Sequence, residues 1–293
     1  VTSYIYPKIS PVPTLSWATR YLNCSGGICM TASHNPAPYN GYKAYGPDGC
    51  QITSEAAAAI SAAMQATDPF ADVKTMDFDE AVEQGLVRWI DDSCLDAYYD
   101  AVVAKSVNNL TDEQVAQAPL KLVYTPLNGT GLIPVTEVLK RVGVTDITIV
   151  PEQRDPDGTF PTCPYPNLEI REAMQKGIEL CQEVKPDLLL ATDPDADRVG
   201  VACADGDDYT LITGNEMGVL LLDYICKMRL ERGEDLSHKV AVTTIVSSAM
   251  VDALAQEYGF EMRRCLTGFK YIGDIITGLS DAGEVDRFIF GFE

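Results

Sequence analysis

The chain has 293 residues, of which 43 are acidic and 22 basic, so its formal net charge at pH 7 is -21. Apolar residues make up 46% of the sequence, and the length allows two domains with part of a third. Such an acidic composition disfavours nucleic acids and anionic membranes as partners. No apolar run approaches the roughly 20 residues that span a bilayer, and nine cysteines without a CxxC pair favour a reducing compartment. We therefore expect a cytoplasmic protein of unknown oligomeric state.

The first part of the chain has an irregular pattern. Residues 1–50 are rich in Gly, Pro, Asn and Tyr, with short apolar runs such as Gly27–Met30. An alanine-rich helix is predicted over Thr53–Ala66, because Thr53 or Ser54 can cap it. A second helix is expected around Asp91–Ala104, and Pro119 marks a boundary.

From Pro119 onward, strands alternate with helices. Strands are predicted over Leu120–Tyr124, Asp146–Val150, Asp187–Ala191 and Val199–Cys203, and helices over Leu132–Arg141, Leu168–Val184 and Asn215–Leu230. This alternation is typical of layered α/β domains with a mostly parallel sheet.

The alternation restarts near residue 238. The predicted elements are a strand over Lys239–Val246, helices over Ala249–Tyr258 and Lys270–Leu279, and a strand over Arg287–Phe290. A sheet ending after Phe290 would expose an apolar strand edge, so we expect sequence beyond Glu293. The fold class predicted is α/β, with repeated three-layer α/β/α domains and mixed, mostly parallel sheets. The predicted domains cover residues 1–118, 119–236 and 237–293.

The sharpest motif is the acidic run Asp193-Pro-Asp195-Ala-Asp197-Arg198, directly after the apolar strand Asp187–Ala191. Open α/β sheets bind ligands at the carboxyl ends of their strands. Three anionic oxygen donors converging there suit Mg²⁺ or Ca²⁺, and carboxylates brought together need a cation. An EF-hand is excluded, because position six is Arg198 and position twelve is Ala204. The alternative is a solvated acidic turn.

A second candidate is the run Thr31-Ala-Ser33-His34-Asn35-Pro36, which follows the short apolar run. Such a loop can present a serine hydroxyl, which is a weak nucleophile unless a base or prior phosphorylation activates it. No Gly-x-Ser-x-Gly elbow is present, which disfavours a hydrolase. An ordinary Asx turn explains the same residues. Lys43 lies a few residues further on, where it could meet a phosphate or lie on the solvated face of a hairpin.

Together these motifs resemble the α-D-phosphohexomutase superfamily, the phosphoglucomutase/phosphomannomutase family. The resemblance rests on five segments in the family's order. They are Thr31–Pro36 followed by Tyr39–Lys43, Pro156–Thr162, Asp193–Arg198, Thr267–Gly273 and Gly291–Glu293. They resemble, in turn, the family's phosphoserine loop, a stretch of its second domain, its metal loop, its third-domain substrate loop and the opening of its sugar-recognition loop.

The resemblance implies roles residue by residue. Ser33 would be the phosphoserine, and one Mg²⁺ would be held by Asp193, Asp195, Asp197 and an oxygen on Ser33. His34, Lys43 and Arg198 would surround the transferring phosphoryl group, with Lys43 a candidate general acid or base. Substrate would be contacted by Thr267, Gly268, Lys270 and Glu293.

The resemblance also implies an isomerase of carbohydrate metabolism. It would interconvert 1-phospho and 6-phospho hexoses through a phosphoserine enzyme and a sugar bisphosphate, which serves as intermediate and activator. Its partners would be small sugar phosphates. Three alternatives remain: a phosphopentomutase-type mutase, a non-catalytic domain that binds Mg²⁺ or sugar phosphates, and a metal-dependent phosphatase.

The family is built of four domains and its members are much longer than this chain. We expect the chain to be a fragment with an incomplete first domain, a truncated third domain and no C-terminal domain. Such a fragment is predicted to be poorly active.

Overall fold

The computed structural model describes residues 1–293 and contains twelve strands and ten α-helices. The elements of the first region are β1 (Ser3–Ile5), α1 (Val12–Tyr21), β2 (Gly27–Met30), β3 (Tyr42–Tyr45), α2 (Ser54–Gln65), α3 (Phe78–Glu83), β4 (Val87–Trp89), α4 (Asp92–Val103) and α5 (Asp112–Gln117). The predicted helices at α2 and α4 are confirmed. The sequence reasoning missed α1, because its Pro-rich start looks like a loop. Prolines are tolerated there, since the first-turn amides have no partners within the helix.

The strands of the first region form two small sheets. β1 pairs in parallel with β4, whereas β2 and β3 form an antiparallel hairpin in which Cys29 lies opposite Lys43. The helix α2 has no buried residue. A small core around Ala18, Ile90 and Cys94 holds α1 against α4.

The second region is a five-stranded mixed sheet. Its elements are β5 (Lys121–Thr125), α6 (Leu132–Arg141), β6 (Asp146–Ile149), a 3₁₀ turn (Pro151–Gln153), α7 (Arg171–Val184), β7 (Leu188–Thr192), β8 (Val199–Asp205), β9 (Asp208–Ile212) and α8 (Gly214–Glu231). The strand order is β6-β5-β7-β8-β9. The first three strands are parallel to one another, β8 is antiparallel to β7, and β9 is antiparallel to β8. The helix α7 begins later than predicted, because Ile170 is its extended N-cap residue. Its buried face packs on the sheet through Met174, Ile178 and Cys181.

The third region has a three-stranded parallel sheet. Its elements are β10 (Val240–Thr244), α9 (Met250–Tyr258), β11 (Glu261–Cys265), α10 (Phe269–Asp281), a 3₁₀ turn (Val285–Arg287) and β12 (Phe288–Phe292). The strand order is β11-β10-β12. The sequence reasoning missed β11, which carries two arginines. Charged residues are common in such edge strands, where one side of the backbone stays free.

Alternate residues of β10 face opposite helix layers. Val240 and Val242 pack with Ile272 of α10, whereas Ala241 packs with residues of α8 and α9. The third region is therefore a helix–sheet–helix sandwich, and the prediction of mixed, mostly parallel sheets is confirmed.

The helix α8 packs against the third sheet although the predicted domain boundary at residue 236 assigns it to the second domain. Leu222 and Cys226 of α8 share a core with Phe292 of β12, and Gly218 lies directly against the Phe292 ring. The two predicted domain boundaries stay predictions. None of the ten helices is long and apolar enough to cross a bilayer.

Candidate active site

The acidic loop, residues 193–198, leaves the carboxyl end of β7. Asp193 is fully buried and Asp195 is 4% exposed, whereas Asp197 is exposed. One carboxylate oxygen of Asp193 accepts the backbone amides of Asp197 and Arg198, at 3.2 and 3.1 Å. The loop thereby turns around Asp193, with Ala196 in the left-handed region at φ 53°. As a result, carboxylate oxygens of the three aspartates lie within 4.8 Å of one another.

The serine loop, residues 31–36, follows β2 and brings a hydroxyl to these carboxylates. Ser33 Oγ lies 3.2 Å from Asp193 Oδ2 and 3.2 Å from Asp195 Oδ1. Thr31 fixes this placement, because its Oγ1 accepts the Ser33 amide at 2.9 Å and donates to Asp195 Oδ2 at 3.1 Å. Ser33 itself has φ 53°, a left-handed conformation that is uncommon outside glycine and concentrates at functional sites.

Lys43 completes the arrangement from β3. Its Nζ contacts Asp195 Oδ2 at 2.9 Å and Asp197 Oδ2 at 3.0 Å. The lysine does belong to a hairpin, but the alternative of a solvated face is wrong, because the side chain points to the acidic loop and is 20% exposed.

His34 and Arg198 border the same group. His34 Nδ1 lies 3.4 Å from Ser33 Oγ. Burial, and then the positive charge of Arg198, lower the pKa of His34. Arg198 is exposed, and its guanidinium forms no ion pair within the chain. The structure thus brings together every residue predicted around the phosphoryl group.

The charges of the acidic loop are incompletely balanced. Burial and the charges of Asp195 and Asp197 raise the pKa of Asp193. Burial alone would raise the pKa of Asp195 too, but the hydrogen bond and charge of Lys43 hold it below its ordinary value. Burial likewise opposes the charged form of Lys43, whose pKa is nevertheless raised by the two aspartates. Three carboxylates facing one ammonium can hold a divalent cation through hard oxygen donors.

The residues predicted to touch substrate form a second, separate group, which we call the substrate group. Thr267 and Gly268 lie between β11 and α10, Lys270 lies in the first turn of α10, and Glu293 follows β12. The Gly268 amide donates to Glu293 Oε2 at 2.7 Å, which joins the two segments across the sheet. Gly268 has φ 124°, a value that favours glycine.

No hydrogen bond or salt bridge joins this second group to the acidic loop. The first and third regions meet elsewhere, where Thr277 of α10 donates to Asp48 at 3.2 Å and lies 3.6 Å from Cys50 Sγ.

Sequence reasoning included Thr31 in the serine motif but gave it no role, although it links the serine loop to Asp195 across 164 residues of chain. The only signal available was a hydroxyl two residues before the serine, a common pattern in turns.

Comparisons with known proteins agree on one family. Three domain models described as phosphoglucomutase/phosphomannomutase α/β/α domains I, II and III match residues 1–70, 96–206 and 213–293. The phosphoglucomutase of Staphylococcus epidermidis is 34% identical over 292 residues, which are 99% of this chain and 51% of that protein. The chain therefore spans about half the length of the curated relatives that it matches.

Solved structures share the fold. A candidate phosphomannomutase from Thermus thermophilus superposes with a TM-score of 0.75 at 24% identity, over 100% of this chain and 59% of that chain. The N-acetylphosphoglucosamine mutase of Aspergillus fumigatus, solved in complex with GlcNAc-6P and magnesium, gives a TM-score of 0.53 at 17% identity. That match covers 88% of this chain and 59% of that chain.

Proposed function

The chain belongs to the phosphoglucomutase/phosphomannomutase family, and from this premise we propose that it supplies the phosphoserine and metal-binding elements of a hexose phosphate mutase. The reaction is the interconversion of 1-phospho and 6-phospho hexoses. The observation that carries the proposal is the position of Ser33 Oγ, 3.2 Å from carboxylates of both Asp193 and Asp195.

Phosphoryl transfer needs placement and charge neutralisation more than covalent work by the protein. A phosphoryl group on Ser33 Oγ would lie among the acidic loop, Lys43, His34 and Arg198. Two of these residues, Lys43 and Arg198, are basic, and the left-handed backbone of Ser33 projects the hydroxyl toward the loop. These surroundings favour a role for Ser33 as donor and acceptor of a phosphoryl group over a role as the nucleophile of a hydrolase.

The acidic loop fits a magnesium ion. Asp193, Asp195 and Asp197 would hold it together with an oxygen of the phosphorylated Ser33. Bound there, Mg²⁺ neutralises charge on the phosphoryl oxygens. The magnesium and sugar phosphate present in the Aspergillus mutase structure support this assignment.

The reaction proposed conserves both phosphoryl groups. Phosphoserine 33 gives its phosphoryl group to a free hydroxyl of a hexose monophosphate, which forms a hexose bisphosphate and frees Ser33 Oγ. The other phosphoryl group of the bisphosphate then passes to Ser33 Oγ, which leaves the isomeric monophosphate. Lys43 is placed to hold or move a proton at the reacting oxygen, while Arg198 and His34 border the group that moves.

The residues of the third region predicted to touch substrate would bind the sugar. Lys270 supplies a cation for a phosphate, and Glu293 supplies acceptors for hydroxyls. Glu293 and Gly268 are already joined by a hydrogen bond, so both segments can act on one ligand.

The test is intact-protein mass spectrometry after incubation with Mg²⁺ and glucose 1,6-bisphosphate. We expect the wild-type chain to gain one phosphate and Ser33→Ala to gain none. Ser237→Ala is the matched control, because this exposed serine bonds only within its own turn, and it should gain phosphate like the wild type.

Other outcomes would contradict the proposal. No phosphate uptake by the wild-type chain would favour a domain that only binds ligands. Uptake that persists in Ser33→Ala would place the phosphoserine elsewhere, and steady release of inorganic phosphate would favour a phosphatase.

A further inference from the structure

The acidic loop follows β7, and a second loop, which follows the neighbouring strand β5, packs against it. This brace loop, residues 126–131, connects β5 to α6. Thr130 donates twice to the carbonyl oxygen of Pro194, from its backbone amide at 2.8 Å and from its hydroxyl at 3.0 Å. Pro194 stands between Asp193 and Asp195, so both hydrogen bonds act on the peptide that links the two buried carboxylates.

The two loops touch closely enough to require glycine. A Cβ atom on Gly129 would lie 2.3 Å from Pro194 Cα, and one on Gly131 would lie 2.5 Å from Thr192 Oγ1. Real Cβ atoms do not approach backbone this closely, so any side chain at Gly129 would displace the acidic loop. A buried hydrogen bond of 2.8 Å between the hydroxyls of Tyr124 and Thr192 joins β5 to β7 next to this contact.

The brace loop is held in a strained conformation. Leu127 and Asn128 are both left-handed, at φ 48° and 56°, although neither is glycine. Leu127 is fully buried, and the Asn128 side chain donates to the carbonyls of Glu152 and Asp155. Residues in this region of φ cost about 1–3 kcal/mol each and persist only where surrounding contacts fix them.

We infer that Thr130 is a positioning residue for metal binding, acting through the Pro194 carbonyl on the carboxylates of Asp193 and Asp195. The inference rests on the proposed metal-binding role of the acidic loop. The hydroxyl of Thr130 contacts no carboxylate itself. Its effect is to fix the peptide between two ligands, as outer hydrogen bonds do at metal sites.

The experiment measures Mn²⁺ binding directly, by the electron paramagnetic resonance signal of free Mn²⁺ titrated with protein. Thr130→Val removes the hydroxyl but keeps the shape and the backbone amide, and we expect about 10-fold weaker Mn²⁺ binding. Thr130→Ser keeps the hydroxyl and should bind within about 2-fold of the wild type, since the donor to Pro194 is retained. Thr136→Val is the matched control, because Thr136 bonds only carbonyls of its own helix, and its affinity should not change.

A second variant tests the same contact without changing a hydrogen bond donor. Gly129→Ala inserts one methyl group against Pro194 and should weaken Mn²⁺ binding more than Thr130→Val does. Thermal melting identifies any variant that fails to fold, and the remaining variants then decide the question.

The outcomes separate this inference from the proposed function. Wild-type Mn²⁺ affinity in Thr130→Val or Gly129→Ala would overturn the inference and leave the proposed function standing. Equal losses in Thr130→Val and Thr130→Ser would also overturn it, because the hydroxyl would then not matter. A wild-type chain that binds no Mn²⁺ would overturn both.

Discussion

The acidic loop and the substrate loop, residues 267–273, which begins between β11 and α10, occupy corresponding places in two different sheets. Each follows a parallel strand at its carboxyl end, β7 in one case and β11 in the other. The acidic loop is packed, with Asp193 and Asp195 buried and hydrogen bonds arriving from the first region and the brace loop. The substrate loop has an exposed Thr267 and one hydrogen bond to Glu293. Packing and hydrogen bonds from other segments therefore fix the geometry of the acidic loop, whereas fewer contacts hold the substrate loop.

The largest effect is expected from Asp195→Asn. The Asp195 carboxylate accepts hydrogen bonds from Thr31, Lys43 and the Ser33 hydroxyl. The substitution therefore removes a negative charge from the centre of the acidic loop's contacts. Mn²⁺ affinity should fall by about 100-fold, measured by direct titration. The control is Glu293→Gln, an acidic-to-amide change in the exposed group, which should leave Mn²⁺ affinity unchanged. Equal affinities in the two variants would break the distinction between the loops.

The second largest effect is expected from Lys43→Met. It removes the ammonium that lies between Asp195 and Asp197, and phosphate uptake by Ser33 from glucose 1,6-bisphosphate should slow by about 100-fold. The matched change Lys270→Met removes an ammonium from the substrate loop and should slow uptake less than about 10-fold at saturating bisphosphate. Time-resolved intact mass measures both rates. Slower phosphate uptake in Lys270→Met than in Lys43→Met would contradict the prediction.

Gly218→Ala tests the packing of α8 against β12, the strand that precedes Glu293. Its Cβ atom would lie 2.1 Å from the Phe292 ring, next to Glu293, so overpacking should lower the free energy of unfolding by about 1–3 kcal/mol. Gly278→Ala is the control, because its Cβ atom meets nothing within 4 Å and the position is helical. Thermal melting should separate the two variants, while Mn²⁺ affinity stays unchanged in both. A loss of Mn²⁺ affinity in Gly218→Ala would show that the two groups are coupled.

The smallest effect on stability is expected from Glu293→Gln. The side chain is exposed and makes a single hydrogen bond to Gly268, which an amide oxygen can still accept. The free energy of unfolding, measured with urea, should change by less than about 1 kcal/mol. A larger loss would mean that the substrate group is more tightly organised than its exposure indicates.

Local sequence signals predicted most of the regular elements. The predicted bounds of α6 coincide with the observed helix, and the apolar run before Asp193 is the strand β7. Sequence reasoning did not predict β1, β4, β9, α3 or α5. The failures at α1 and β11 share a cause. Sequence reasoning missed α1 because prolines open it, and missed β11 because arginines interrupt its apolar pattern. Tertiary packing outweighed local propensity at both places.

The candidate site was predicted as a set of residues, without the contacts between them. Ser33 and Asp195 were singled out by their motifs, but nothing in either motif indicates that a hydroxyl and a carboxylate 162 positions apart lie 3.2 Å from each other. Thr31 was part of the serine motif but was given no role, and Thr130 was not singled out. Their importance lies in hydrogen bonds to segments that are distant in sequence, and isolated threonines in loops carry no signal for such partners.

The sequence by itself determined the α/β class, the family resemblance and the chemical types of the candidate site, because these depend on short-range periodicity and on motifs of a few residues. Only the tertiary structure decided that α8 packs on the third sheet, that Lys43 faces the acidic loop and that the brace loop holds Pro194. Those features depend on which distant surfaces meet when the chain folds. Distances of 2.9–3.2 Å between hydroxyl, ammonium and carboxylate groups are set by that packing, and a linear pattern does not encode them locally.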